Sequence, residues 1–255
     1  MIPKIIHYCW FGKGFMPKSQ RNCIKGWKKL MPDFEFICWD ESNFDVDSYL
    51  YTRAACSSRK YAYISDVARC AALSKYGGIY LDTDVELFQS LEAYLDHGFF
   101  SAIEIYSEFE KVKTEYVDDE GRPLIEGQVV PWCGLLGSII GCESRNVLIS
   151  DCLSFYKNWS GGSFVTIDGL IARMALPYGF LYRDELQYLQ ERMVIYPTGI
   201  FGYAYSPNPD YIVSLHHNAA SWQVKTRTQN RRTFLDKLGL LKLYDAVREL
   251  KRGKV

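Results

Sequence analysis

No stretch of the 255-residue sequence approaches the roughly 18 consecutive apolar residues of a membrane-spanning helix, which excludes a helical span. The opening Met1-Ile-Pro-Lys-Ile-Ile-His-Tyr-Cys-Trp10 lacks the apolar core of a secretory signal. Eight Cys lie at 9, 23, 38, 56, 70, 133, 142 and 152, with no Cys-x-x-Cys pair and no Cys/His spacing of a zinc site. Most sit in apolar runs, so buried reduced thiols are expected rather than a disulfide framework, and with them a cytoplasmic location. Charge of neither sign is in excess: 30 Lys and Arg balance 30 Asp and Glu, so no general attraction to nucleic acid is implied. Repeats and low-complexity tracts are also missing, and Gly12-Lys-Gly14 lacks the remaining spacing of either nucleotide-binding glycine motif.

What is present fits one soluble domain with a sizeable core. Apolar residues make up 48% and charged residues 24%. Aromatics reach 15%, with 19 Tyr and 6 Trp, as suits a protein that stacks on flat rings and sugar faces or one with a Tyr-rich core. The charge is uneven along the chain: residues 223–255 hold ten Lys and Arg against three Asp and Glu.

Alternating strand and helix signals predict an α/β fold with a mainly parallel central sheet flanked by helices. A strand over Ile2–Cys9, a helix that Ser19 can cap and Pro32 stops, and a strand over Phe34–Trp39 make a β-α-β opening. Residues 59–76 read as a helix ending at Gly77-Gly78, followed by a strand over Ile79–Leu87. Phe99–Ile105 reads as a strand, 118–121 as a polar excursion and 132–141 as a Gly-rich apolar stretch. Helices are expected near 144–157 and 167–176, strands at Met193–Tyr196 and Ile212–Leu215, and a last amphipathic helix over about Thr233–Arg252. Residues 1–222 are read as the body of the domain and 223–255 as a basic helix of the same domain, docked on it or lying on an anionic membrane surface.

In Ile79-Tyr-Leu-Asp-Thr-Asp84, period-two alternation places Tyr80, Asp82 and Asp84 on one face. Paired carboxylates at the end of an apolar strand call for a cation, and Mg²⁺ or Mn²⁺ is the hard ion that takes oxygen ligands and bridges to a diphosphate. The plainer reading is a solvated strand cap. On the preceding helix Asp66 and Arg69 share a face. They read as a surface ion pair or, because the helix is apolar nearly all round, as groups facing a polar pocket. Leu215-His216-His217-Asn-Ala-Ala-Ser221-Trp222 gathers two imidazoles, a hydroxyl and an indole, with a metal ligand and a structural histidine as even alternatives.

Ile2-Pro-Lys-Ile-Ile-His7 with Trp10, Ser65-Asp66-Val-Ala-Arg69, Gly77-Gly-Ile-Tyr-Leu-Asp82-Thr-Asp84-Val-Glu86 and His216-His217 with Ser221-Trp222 resemble, in order and spacing, the glycosyltransferases with a DXD sugar-binding region, family 32. That family includes bacterial capsule and exopolysaccharide transferases, yeast mannosyltransferases and relatives of the clostridial toxin glucosyltransferase domain. The resemblance implies a GT-A fold over residues 1–222, a nucleoside-diphosphate sugar donor, with a UDP-sugar preferred, and Mn²⁺ or Mg²⁺. It also implies transfer, with retention of anomeric configuration, of a hexose or N-acetylhexosamine to a saccharide or lipid-linked acceptor. By position, Ile5, His7 and Trp10 would border the nucleobase, Asp66 and Arg69 would hold the donor sugar, and Asp82 and Asp84 would take ribose and metal. Tyr80, Ser221 and Trp222 would face the substrate, and His217, ahead of His216, would be the third metal ligand. Residues 164–174 depart from the Gly-Pro-rich segment many members show there, and Asp168 is the acceptor-side candidate they offer. With a lipid-linked acceptor, a peripheral position at the inner face of the membrane follows. The rivals are a haloacid-dehalogenase-like phosphatase, whose Asp-x-Asp is usually N-terminal and followed by Gly where Val85 stands here, and a catalytically silent carbohydrate-binding protein.

Overall fold

The computed structural model describes residues 1–201 and 212–218. In chain order the elements are β1 (Ile5–Cys9), α1 (Lys18–Leu30), β2 (Glu35–Trp39), α2 (Leu50–Ser57), α3 (Tyr61–Tyr76), β3 (Gly78–Leu81) and β4 (Val85–Leu87). They continue with β5 (Phe99–Ile105), α4 (Phe109–Tyr116), β6 (Cys133–Leu135), β7 (Ile139–Cys142), α5 (Val147–Lys157) and α6 (Ile167–Ala175). Last come β8 (Gln187–Tyr188), β9 (Met193–Tyr196) and β10 (Ser214–His216).

The central sheet runs β2-β1-β3-β7-β5-β9-β8, with β6 pairing β5 off that path. Following the pairings across it, β1, β2, β3, β5 and β9 point one way and β6, β7 and β8 the other. Five of the eight strands thus point the same way, as expected of a mainly parallel sheet, with β7 set antiparallel between β3 and β5, and β6 and β8 antiparallel to their neighbours β5 and β9. Helices cover both faces. The α2, α3, α5, α6 side shares one core with Tyr80, Phe99 and Ile103, whereas Trp27 of α1 packs in the other with Ile79, Leu81, Val85 and Phe100. Strand alternation sorts neighbouring residues into opposite cores, which is why β3 is buried throughout.

Two local features set the site. The α3 helix ends at Gly77 (φ +66) and Gly78 (φ +102), both in backbone regions that disfavour a side chain. A Cβ at Gly77 would also lie 2.5 Å from the Ser144 nitrogen, and one at Gly78 2.6 Å from the Ile5 carbonyl, so glycine lets β3 enter directly beside β1. The strand expected over Ile79–Leu87 is broken in two. The Val85 N–H donates to the Asp82 carbonyl at 3.0 Å, closing a turn at 82–85, and the chain leaves in β4, which pairs with β10 in a separate two-stranded sheet.

Other departures have local reasons. α1 starts at Lys18 behind Pro17, and the Ser19 hydroxyl bonds Gln20 instead of capping. α2 stands before α3 and α4 stands just before the polar excursion at 118–121, two helices that were not anticipated. α5 begins behind Asn146, whose side chain accepts from the Ile149 N–H. Among the described residues no helix is long and apolar enough to cross a membrane. Ser221, Trp222 and the basic helix expected at 223–255 lie outside the described residues.

The fully buried Trp27 donates its indole N–H to the Val85 carbonyl at 2.8 Å, tying α1 to the strand that leaves the carboxylate turn. Trp27→Phe keeps most of the apolar volume and removes that donor inside a core. It should cost about 1–3 kcal/mol in urea unfolding, the range for stranding a buried acceptor. An unchanged unfolding midpoint would show that this bond contributes nothing.

Candidate active site

The C-terminal ends of β1, β2, β3 and β5 meet at one edge of the sheet, the edge where α/β sheets gather ligands. Asp82 follows β3 directly, and its N–H donates to the Ser138 carbonyl at 2.9 Å, extending the β3–β7 ladder by one step. The turn then presents Asp84. Both carboxylates thus face the same space because a hydrogen-bonded turn holds them, not because a strand continues through them.

β10 closes the site from the other side. His216 stands opposite Val85 in the ladder, and the His217 N–H donates to the Asp84 carbonyl at 3.1 Å. The His216 imidazole Nε2 lies 3.2 Å from Asp84 Oδ1 and 3.9 Å from Asp82 Oδ2. Its neighbour His217 points the other way and meets Glu86 at 2.9 Å. The preference for His217 is therefore corrected to His216: successive residues of a strand face opposite sides, and the register with β4 puts the earlier histidine inward. One ligand atom each from Asp82, Asp84 and His216 lie within 4.8 Å of one another.

These residues fit a divalent ion. Two carboxylates and an imidazole are ligands that Mn²⁺ or Mg²⁺ accepts, with positions left over for further oxygen ligands. Burial pulls the His216 imidazole down, but the hydrogen bond to Asp84 and the charges of Asp82 and Asp84 outweigh it, and the net shift is upward. The pocket thus favours positive charge. His216 Nδ1 is buried and finds no hydrogen-bond partner among the described residues.

Behind the triad lies a buried charge network around Arg69. Its Nη2 reaches Asp66 at 3.1 Å and Asp82 at 3.5 Å, and its Nη1 donates to the Gly137 carbonyl at 2.5 Å. The guanidinium lies 4.3 Å from the Tyr80 ring centre, and the Tyr80 hydroxyl donates to Asp82 Oδ1 at 2.8 Å. Asp168, at the start of α6, accepts from the Gly137 N–H at 2.8 Å. A Cβ on Gly137 would come within 2.5 Å of Asp168 Oδ1 and 3.0 Å of Arg69 Nη1, so glycine there lets helix, loop and arginine interlock. The Arg69 fork is filled by protein acceptors, which makes it an organiser of the site and a source of fixed positive charge.

Burial pushes the Asp66 carboxyl up to about 7, with Arg69 opposing and Asp168 and Asp82 adding. Asp168 is raised by burial, again against Arg69. Glu104, on β5, is pushed up to about 8 by burial, with Asp168 adding and Tyr106 opposing. Glu104 was not anticipated from the sequence, although a lone acid within Phe99-Phe-Ser-Ala-Ile-Glu-Ile105 was a signal, since apolar strands rarely bury an acid without purpose.

Of the residues expected at the nucleobase, Trp10 lies at the edge, partly exposed, with its N–H bonded to the Trp39 carbonyl and its indole to Gly14. The structure moves the other two away. Register sets Ile6 beside Ile79, so Ile5 is level with Gly78, about 13 Å back along the strand from Asp82 at roughly 3.3 Å per residue. His7 is fully buried between Trp39, whose indole donates to Nδ1 at 3.1 Å, and the Gly77 carbonyl, 2.8 Å from Nε2. With Nδ1 accepting, Nε2 carries the hydrogen, and no ring nitrogen is left for a ligand. Burial lowers its pKa, consistent with this neutral form.

The model described as a glycosyltransferase sugar-binding region containing the DXD motif matches residues 17–101, from α1 to the start of β5. Inositol phosphoceramide mannosyltransferase 3 of Schizosaccharomyces pombe is 37% identical over 103 residues, 38% of this chain and 28% of that protein. An uncharacterised glycosyltransferase of Acanthamoeba polyphaga mimivirus is 33% identical over 109 residues, 39% of this chain and 42% of the relative. The match thus spans less than half the length of either relative. The solved PaToxG glycosyltransferase overlays with a TM-score of 0.49 at 16% identity, covering 69% of this chain and 70% of that one.

In Mn²⁺ titrations, Asp84→Asn and His216→Asn should each weaken binding roughly tenfold or more, while His217→Asn should leave it within about twofold; loss with His217→Asn alone would reverse the assignment. For Glu104, a folded pKa near 8 against the ordinary 4.5 means that folding favours the protonated acid. Its cost is absent below pH 4.5, grows as pH rises, and is complete above about 8. In metal-free protein Glu104→Gln should therefore gain thermal stability over wild type as pH climbs through that window; parallel profiles would exclude the shift.

Proposed function

We propose, from a chain whose residues 17–101 match the glycosyltransferase sugar-binding region containing the DXD motif, that this protein transfers a sugar from a nucleoside diphosphate to a saccharide hydroxyl. The observation that carries the proposal is the convergence of Asp82, Asp84 and His216 within 4.8 Å at the sheet edge, with buried Arg69 3.5 Å behind Asp82.

A divalent ion held by the three side chains would supply Lewis-acid stabilisation to the diphosphate. The chain's own residues do the rest. Tyr80 and Arg69 each address Asp82 Oδ1, which fixes that carboxylate and leaves Oδ2 turned toward His216 and the ligand space. Arg69, fixed by Gly137 and Asp66, adds positive potential where negative charge grows on the leaving group, and being already oriented it needs no reorganisation. In the transfer the acceptor oxygen bonds to the anomeric carbon and the bond from that carbon to the diphosphate oxygen breaks, its electron pair leaving with the diphosphate. The hydroxyl proton passes to that departing oxygen on the same face of the sugar, which gives retention. A two-step route would need a carboxylate on the opposite face.

The finer reading is a hexose or N-acetylhexosamine from a UDP-sugar, carried to a glycan or lipid-linked acceptor in polysaccharide synthesis, with the basic residues 223–255 meeting an anionic membrane surface. The name of the yeast relative, which places a ceramide lipid in that protein's acceptor, supports the lipid-linked alternative.

Hydrolysis and transfer screened across UDP- and GDP-sugars should show turnover that needs Mn²⁺ or Mg²⁺ and stops with chelator. Asp84→Asn should lower it by roughly a hundredfold or more, the scale of several kcal/mol of lost charge stabilisation. Undiminished turnover in a folded Asp84→Asn protein would defeat the proposal. Release of phosphate from phosphomonoesters, with nucleotide sugars untouched, would point to a phosphatase instead.

A further inference from the structure

The edge that holds the carboxylates continues past them, and what stands there is aromatic. β5 runs parallel to β3 with β7 between, so its last residues arrive at the same edge. Leu81 faces Ile139 and Phe100 faces Gly141, which sets Glu104 level with Thr83, two strands over and about 10 Å away at roughly 4.8 Å per strand.

Alternation puts Glu104 and Tyr106 on one face, and the Tyr106 hydroxyl donates to Glu104 Oε1 at 3.0 Å. The Tyr106 N–H donates to the Trp132 carbonyl at 2.9 Å, one step beyond the Ile105–Cys133 pair. The two rings therefore stand together, centroids 6.2 Å apart and planes at 70°. Trp132 is 51% exposed and Tyr106 38%, while Glu104 is only 6% exposed and forms no ion pair with any described residue. Trp132 also sits at φ +64, a region that a bulky side chain rarely occupies, so the backbone is strained where the indole faces solvent.

We propose that Trp132, Tyr106 and Glu104 form the acceptor subsite, where a hexose ring lies with its C–H face on the aromatic pair and a hydroxyl donates to a Glu104 carboxyl oxygen. Ring faces supply apolar contact to the hydrophobic side of a sugar, and a buried acceptor fixes its orientation. The separation from the carboxylate turn leaves room for a donor sugar in between. The inference rests on the glycosyl-transfer reading and names the groups that would hold the second substrate.

Saturation-transfer NMR on the full chain, with the methyl glycosides of glucose, galactose and mannose and with lactose and maltose as probes, tests it. At least one probe should bind the wild type. Trp132→Gly should weaken that binding roughly tenfold, the scale of about 1.4 kcal/mol of lost ring contact. Trp132→Tyr should recover most of it. The thermal midpoint of Trp132→Gly should not fall, because glycine accepts the left-handed backbone. Absence of binding by every probe, equal binding by wild type and Trp132→Gly, or a fall in thermal midpoint alongside lost binding would overturn the subsite. Wild-type turnover of UDP- and GDP-sugars is read separately. If turnover is missing while saccharide binding depends on Trp132, the transferase reading falls and the subsite stands; with turnover present and binding indifferent to Trp132, the subsite alone falls.

Discussion

The Arg69 guanidinium joins four parts of the domain that have no covalent reason to meet. From the middle of α3 it reaches Asp66 on its own helix, Asp82 after β3, and the Gly137 carbonyl between β6 and β7. Gly137 passes the connection on to Asp168 at the start of α6. A charge this deeply buried is costly unless every donor finds an acceptor, so the arrangement is close to all or none. The same demand that stabilises the guanidinium fixes Asp82, and with it the geometry of the Asp82, Asp84 and His216 cluster. Structure and proposed chemistry draw on one network.

Its charge balance explains the character of the site. Asp66, Asp82, Asp84, Glu104 and Asp168 crowd around Arg69 and His216, and the acids deepest in the protein are pushed toward their neutral forms by burial. Carboxylates outnumber fixed cations, so a divalent ion or a cationic His216 relieves a repulsion already built in. The partly exposed members, Asp82 and Asp84, remain the ones an ion can reach from solvent.

Much of this was legible in the sequence where chemistry and local pattern coincide. The Gly77-Gly78 exit, the apolar strand before Asp82 and the i, i+3 spacing of Asp66 and Arg69 each have short-range causes. Where interactions come from far along the chain, local pattern was silent or misleading. Ile79–Leu87 alternates well enough to pass for one strand, yet it is cut at Asp82 by a turn whose exit strand pairs with β10, more than a hundred residues later. His7 has the composition of a ligand and is consumed as a neutral spacer between Trp39 and Gly77. Glu104 gained its neighbours only when β5 took its place beside β7 and β6.

By itself, then, the sequence determined an α/β domain, the helix that carries Asp66 and Arg69, and the pairing of Asp82 with Asp84, because helix periodicity, glycine backbone freedom and carboxylate chemistry act over a few residues. Only the tertiary structure decided that His216 rather than His217 meets those acids, that Ile5 stands at the far end of its strand, and that Glu104, Tyr106 and Trp132 share the site's edge. Those outcomes depend on strand register and order. A shift of one residue in register turns every side chain to the opposite face, and local sequence spacing does not reveal which distant strand will set it.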